Sequence, residues 1–293
     1  MCKYLKKICN FAYYKNRTLL SAFFMTIDIL ICSINKGIVK VPDVLLHPIQ
    51  GVRYVISYQY TDERYLDLIP VEILGREDVN FYQYKGEGLS ANRNLAMDKA
   101  KSDLVIFAED DARFSESSIK SVCDIFEKRP DLDVAFFTAS TYTGKLLKKY
   151  PNQDRPVKEL PTDYSISAIE MVCRRSRVQS VVRFDERFGL GTRFLTCGED
   201  DIWLTDAIRL NLTMHFYPQK LVETSTMLKK SLVYIDAGVQ RSRGAFEYYI
   251  HGNYAWGVCF NFALNSATKG YCHFIPMLKH LAEGIIYMRR TEK

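Results

Sequence analysis

The chain has 293 residues, 47% of them hydrophobic and 25% charged, with a formal net charge of +6. That make-up gives a folded globular protein with a sizeable core, and excludes a disordered chain, a collagen-like repeat and a small disulfide-stapled scaffold. The charge excess is too small to argue for nucleic acid and suits a small anionic partner such as a nucleotide or a lipid-linked phosphate. The eight cysteines are scattered without C-x-x-C or zinc spacing, which favours free thiols in a reducing compartment.

In chain order, Lys3, Lys6, Lys7, Lys15 and Arg17 precede the apolar run "TLLSAFFMTIDILICSI", residues 18–34. The basic lead is long for a signal peptide and no small-residue cleavage site follows. The run is short against the ~20 residues of a membrane span, and Asp28 within it would cost about 2.5–3.5 kcal/mol on insertion. The alternatives are a helix lying on an anionic membrane surface and a helix packed on the domain's own core. Residues 1–50 are expected as a basic, apolar N-terminal helical segment.

From residue 51 strands and helices alternate. "RYVISYQY" reads as a strand, and "VEIL" and "VNFYQY" as further short strands around the turn-like "GRED". "GLSANRNLAMDKAKS" reads as a helix with Ser90 as N-cap, and "DLVIFA" as a strand buried on both faces. "SESSIKSVCDIFEKR" is an amphipathic helix and "LDVAFFTA" another buried strand. Residues 141–164, with three prolines, form a long surface loop. "SISAIEMVCRR" resumes a strand, "GEDDIWLTDAIRLN" is a helix, and "LTMHFYP" is a strand ended by Pro218. Residues 51–225 therefore predict an α/β domain around a mostly parallel sheet. Residues 226–293 lack the alternation. Two helices there, "GAFEYYIHGNYAWGVCFNFALNSA" and "IPMLKHLAEGIIYMRR", are apolar over much of their circumference and pack on the domain, on a second subunit as a homodimer, or on a membrane.

Three features carry chemistry. Glu109, Asp110 and Asp111 follow "LVIF" directly, at the carboxyl end of a buried strand, where open α/β sheets bind ligands. Carboxylates two apart, Glu109 and Asp111, can share one hard cation that also binds phosphates, against the plainer reading of a solvated turn capping the next helix. Glu199, Asp200 and Asp201 open a helix behind the glycine-punctuated "FDERFGLGTRF"; they cap that helix or supply a general base. "GEGLSANRN" offers a tight turn at Gly86 and Gly88 and a helix N-terminus with Ser90, Arg93 and Asn94, a plausible anion or nucleotide site. It is neither a P-loop nor a dinucleotide fingerprint.

Together "GLSANRNLAMDKAKSDLVIFAEDDARF" and "FDERFGLGTRFLTCGEDDIWLTDAIRLN" resemble, in order and spacing, the inverting glycosyltransferases of family 2, over about residues 53–218. "RGAFEYYIHG" is similar to the tail of polysaccharide-locus members. The resemblance implies a GT-A fold, a Rossmann-like sheet flanked by helices, with helical additions at both ends. It implies Asp111 and Glu109 as ligands of Mn²⁺ or Mg²⁺, Asp200 as the base that deprotonates the acceptor hydroxyl, and Glu199 as the residue that orients the acceptor. Nucleotide-sugar contacts are expected from Ser57 and Tyr58 at the end of the first strand, from Gly88, Ser90, Arg93 and Asn94, and from Glu109 and Asp110. The implied partners are a UDP-sugar and a glycan or lipid-linked glycan acceptor. The implied place is the cytoplasm, in peripheral contact with the inner face of an anionic membrane. Two positions depart from the family: Glu109 stands where Asp is usual, and Glu223 and Thr224 stand where many members carry a metal-binding His. A nucleotidyltransferase is the rival enzyme, but "SYQYTDER" lacks its Gly-rich loop; an inactive binding protein on the same fold is the rival from another class.

Overall fold

The computed structural model describes residues 25–225 and 231–291. At its centre lies a nine-stranded sheet: β1 (Ile27–Ile34), β2 (Val52–Tyr60), β3 (Val79–Lys85), β4 (Leu104–Glu109), β5 (Arg113–Phe114), β6 (Val134–Thr141), β7 (Arg155–Pro156), β8 (Met171–Arg174) and β9 (Met214–Thr224). Their order is β3-β2-β1-β4-β8-β6-β9-β5, with β7 also paired to β9. The β3-β2-β1-β4 half is parallel; β8 runs antiparallel to both β4 and β6, so the sheet is mixed.

Three helices cover it: α1 (Leu89–Lys99), α2 (Glu116–Lys128) and α3 (Glu199–Arg209). Ile119, Val122 and Phe126 of α2 share one core with Ile27, Ile29 and Ile31 of β1. On the opposite face Ala96 and Met97 of α1 and Trp203 and Leu204 of α3 meet Leu30, Val55 and Phe107. Successive residues of β1 thus feed opposite cores, which is why the strand reads as continuously apolar rather than alternating.

That strand corrects the sequence reading. The helix expected across residues 18–34 is, from Ile27 onward, an interior strand of the sheet between β2 and β4, so the domain begins well before residue 51. The basic run from Lys3 to Arg17 and the apolar residues 18–24 lie outside the described residues. Asp28, read as a break in an apolar helix, is fully buried and locks the strand in place. Its carboxylate accepts from Ser102 Oγ (2.7 Å), Ser102 N (2.8 Å) and Lys101 N (2.5 Å), and pairs with Arg53 at 3.1 Å. A charge satisfied by four donors at the foot of three adjacent strands is tolerable in the interior; alone it would not be.

Smaller departures have local causes. "VEIL" forms one helical turn, Val71–Leu74, behind Pro70. Pro218 does not end β9, because the β6–β9 register shifts between Phe136 and Thr138 and the missing N–H falls in the irregularity. The C-terminal region forms α4 (Ala237–His251), α5 (Ala255–Thr268) and α6 (Phe274–Thr291), the first expected helix being split at Gly252. Helices α4 and α6 touch backbone to backbone: a side-chain carbon at Gly244 or Gly284 would overlap the carbonyl of Leu281 or Arg241. Ala245 and Met288 pack with Phe188, Leu195 and Ile202, so these helices brace the loop and helix that carry the second acidic cluster. Among the described residues no helix is long and apolar enough to cross a membrane.

Candidate active site

The sheet order reverses at β1, whose neighbours are β2 and β4, and a crevice opens beyond their carboxyl ends. Glu109 ends β4, and Asp110 and Asp111 form the turn to β5. Strand β5 pairs with β9, which brings Thr224 and Ser225 to Asp111: Thr224 Oγ1 donates to Oδ1 at 2.9 Å and Ser225 Oγ donates to Oδ2. Asp110 accepts from Ser33 Oγ at 3.4 Å and lies 3.6 Å from Lys40. Its carboxylate occupies the space a side chain at Gly37 would fill.

The second cluster reaches the first through one buried cation. Arg93 stands over the Phe184 ring, 5.1 Å from its centroid, with its guanidinium 2.9 Å from Asp200, 3.3 Å from Glu199 and 3.7 Å from Glu109. Three carboxylates from chain segments far apart in sequence converge on this group. Asp200 also accepts from the Ala168 N–H at 3.1 Å, so each of its oxygens has one fixed donor. The Ala168 turn is itself held from below. Glu170 is fully buried, pairs with Lys148 at 2.9 Å, and accepts from Tyr150 OH at 2.6 Å and from Ser167 N at 3.2 Å.

Burial and like charge shape the acids. Burial, then Asp200 beside it, pushes the Glu199 carboxyl up to about 7, and burial raises Asp201 to about 6. Glu109 and Asp110 are both raised, first by burial; Arg93 and Lys40 oppose the shift while neighbouring acids add to it.

Two connected hollows result. A cavity of about 520 Å³ is walled by Glu109, Arg93, Glu199, Asp200, Asp201 and the Ser165–Ile169 turn. A smaller one of about 230 Å³ lies over the end of β1, lined by Cys32, Ser33, Ile34, Gln59, Asn92 and Asp110. Glu109, Leu89 and Leu190 line both. Asp110 also faces a third hollow with Asp111, Lys40, Arg113 and Tyr142.

The structure thus brings together Arg93, Glu109, Glu199 and Asp200, with Asp110 and Asp111 on the adjoining wall. It does not bring the other expected residues to the cavity in the roles foreseen. Ser57 and Tyr58 sit inside the sheet on β2, the Tyr58 hydroxyl lying 3.1 Å from Asn35 O and 2.8 Å from Tyr65 O. With β1 taken for a helix, β2 was assigned the place of the first strand. Asn94 is turned away, clamping Phe184 through its carbonyl and amide and bonding Glu186. Ser90 donates to Phe188 O at 2.6 Å. Gly88, at φ +118, backs against Gly191 and lines the smaller hollow, its carbonyl taken by Gln59.

Ser33, Gln59 and Asn92 are site residues the sequence reading passes over. Asn92 is buried, donates to Ser33 O at 3.1 Å, and keeps its amide oxygen unpartnered. An orphaned buried polar atom in a hollow is a ligand contact in waiting. The signal was available in "NRN": Asn92, one residue before Arg93, falls on the neighbouring face of the same helix.

Among the described residues no three His, Cys, Asp or Glu side chains form a ready-made metal cage. The residues still fit a magnesium- or manganese-type ion, which is commonly held by one or two carboxylates and completed by phosphate and water. Asp111 is bonded only to hydroxyls among the contacts above, and beside it Glu109 and Asp110 carry negative charge that Arg93 and Lys40 only partly offset.

A crevice at the switch point, an acidic turn ending β4 and a Glu–Asp pair opening α3 on the far wall are laid out as in the GT-A fold. Residues 76–192 match the family model for glycosyl transferase family 2. Among solved structures, S. aureus TarS residues 1–349 share the fold at TM-score 0.55 and 12% identity, covering 92% of each chain. TarS 1–349 in complex with UDP-GlcNAc matches at TM-score 0.52 and 13% identity, covering 76% of this chain and 67% of that one. A longer TarS structure matches at TM-score 0.52 and 14% identity; there the match spans 78% of this chain and only 40% of that chain. No curated protein matches the sequence.

Proposed function

We propose that the chain transfers one sugar from a nucleotide-sugar, a UDP-sugar first among the candidates, to a hydroxyl of a glycan or lipid-linked glycan acceptor, with inversion at the anomeric carbon. The observation that carries this reading is the convergence of Glu109, Glu199 and Asp200 on Arg93 in the wall of one cavity. That arrangement sets a donor-side acid and a base-side pair face to face across a space large enough for a sugar.

Asp200 takes the acceptor proton as the oxygen attacks the anomeric carbon and the bond to the diphosphate breaks. The guanidinium of Arg93 and the Ala168 N–H hold its carboxylate in place, leaving lone pairs for the incoming hydroxyl. Glu199, half protonated near neutral pH, hydrogen-bonds the acceptor. The nucleoside occupies the hollow of Ser33, Gln59 and Asn92, where the free amide oxygen of Asn92 meets a base N–H. Lys40 and Arg113 face the diphosphate. A Mn²⁺ or Mg²⁺ held by Asp111, with Glu109 and Asp110 beside it, would neutralise charge on the leaving diphosphate. This reaction fits surface polysaccharide assembly at the cytoplasmic face of a membrane.

The test is Asp200→Asn, which keeps size and shape and removes the base. UDP-sugar binding, read by thermal shift with manganese, is expected to persist while transfer falls about 10²–10⁴-fold. Unchanged turnover in that variant would remove Asp200 from the reaction; a parent protein that binds no nucleotide-sugar would remove the function itself.

A further inference from the structure

Helix α5 is packed on one side only. Ala255, Cys259 and Ala263 face the helical layer, while Trp256, Phe260 and Leu264 form an outward stripe at spacing four, at 40–50% exposure. The stripe is extended rather than isolated. Tyr254 at its start is 85% exposed, Phe260 meets the Phe274 ring edge-on at 5.5 Å, and the adjoining Ile275 is 77% exposed. Large aromatic and aliphatic side chains gathered on one face mark a contact surface.

Charge says which contact. From Tyr248 to Ala282 the sequence holds no Asp or Glu, while Lys269, Lys279 and three histidines fall within it. The acids bounding that stretch are engaged: Glu247 is buried and pairs with Arg243 at 2.5 Å, and Glu283 pairs with Arg241 at 3.7 Å and with the exposed Lys279 at 3.9 Å. A face that is aromatic, free of acids and flanked by lysines matches an anionic bilayer surface, where Trp and Tyr settle at headgroup depth and lysines meet the lipid phosphates. We propose that the α5 face, continued onto the start of α6, docks the protein on anionic lipid. The helix lies in the interface and does not span it. This inference is independent of the transfer chemistry and assigns the surface by which the enzyme would be held near a lipid-borne acceptor.

The chain carries its own reporter. Of its two tryptophans, Trp203 is 2% exposed in the core and Trp256 is 40% exposed on the stripe. Full-length protein is mixed at low salt with vesicles of phosphatidylglycerol and phosphatidylcholine, part of the latter brominated on its acyl chains. Trp256 emission is expected to shift to the blue and to be quenched by the bromolipid, weakly or not at all with pure phosphatidylcholine, and less as salt is raised. Phe260→Ser/Leu264→Ser, which changes only exposed side chains and leaves both reporters, is expected to weaken vesicle binding on the order of tenfold or more. Three results would overturn the proposal: the double variant binding as well as the parent, protein that sediments with vesicles while Trp256 stays unquenched, and a concentration-dependent dimer whose Trp256 emission is already blue and indifferent to lipid. The last would assign the face to a second copy of the chain.

Discussion

Replacing Arg93 by Met keeps the unbranched apolar stem of the side chain and removes the guanidinium that, among the described residues, pairs with all three acids. The guanidinium is 4% exposed and lies 2.9–3.7 Å from Asp200, Glu199 and Glu109. At an effective dielectric near 20 each contact is worth about 4 kcal/mol at 4 Å, an attraction largely offset by the cost of burying the charges. What remains when one partner is deleted is uncompensated buried charge, typically about 3–5 kcal/mol. Urea unfolding of Arg93→Met at pH 8 should therefore show an unfolding free energy lowered by that amount, read as a lower midpoint with the slope unchanged. At pH 5 the loss should shrink, because acids without a counterion take up protons and shed the repulsion. Adding Glu199→Gln to Arg93→Met should restore part of the stability at pH 8, since it removes the like charge next to Asp200. An equal loss at both pH values, with no recovery in the double variant, would mean that Arg93 acts through packing and that the charge account is wrong.

Two further outcomes are expected. Asp111→Ala should lose the manganese-dependent part of UDP binding with the fold intact, because among the described residues the Asp111 carboxylate meets the hydroxyls of Thr224 and Ser225 at the end of a turn rather than the core; titration calorimetry with and without manganese decides it, and equal affinity would withdraw Asp111 as a ligand. In the parent background Glu199→Gln should stabilise the protein in a pH-dependent way. The carboxyl rises from 4.5 to about 7 on folding, so between those values the unfolded chain ionises while the folded one does not, and stability falls as pH rises. The variant's advantage should be near zero at pH 4 and grow to at most about 3 kcal/mol above pH 7; a constant difference across that range would refute the assignment.

The acids were legible in the sequence because their chemistry is local. Three carboxylates after a buried apolar run, or three opening a helix after glycines, are costly enough to stand out whatever surrounds them. Their meeting was not legible. It depends on Arg93, one turn into α1, reaching across to both clusters, and spacing alone does not distinguish an arginine that binds a ligand from one that holds acids together. Asn94 shows the same limit from the other side: it sits beside Arg93 in the motif, yet its amide is spent on the backbone of Phe184 and on Glu186. Asn92 was overlooked although its amide oxygen is the unpartnered atom.

The misreading of β1 has a more general cause. A strand buried on both faces loses the alternation by which strands announce themselves, and eight residues of "IDILICSI" following "LLSAFF" merge into one apolar run of helical length. Asp28 was the clue. A helix on a membrane has no use for an acid at that depth, whereas at the foot of a parallel strand a carboxylate can gather the N–H groups of the neighbouring chain entry, as it does with Lys101 and Ser102. Moving β1 into the sheet also moves the crevice. The switch point passes from β2 to β1, the hollow beyond the strand ends is lined by Ser33 and Asn92 rather than Ser57 and Tyr58, and Ser33 then stands within reach of Asp110. One buried aspartate, read for its partners rather than its cost, therefore determines which strand is first and where the crevice opens.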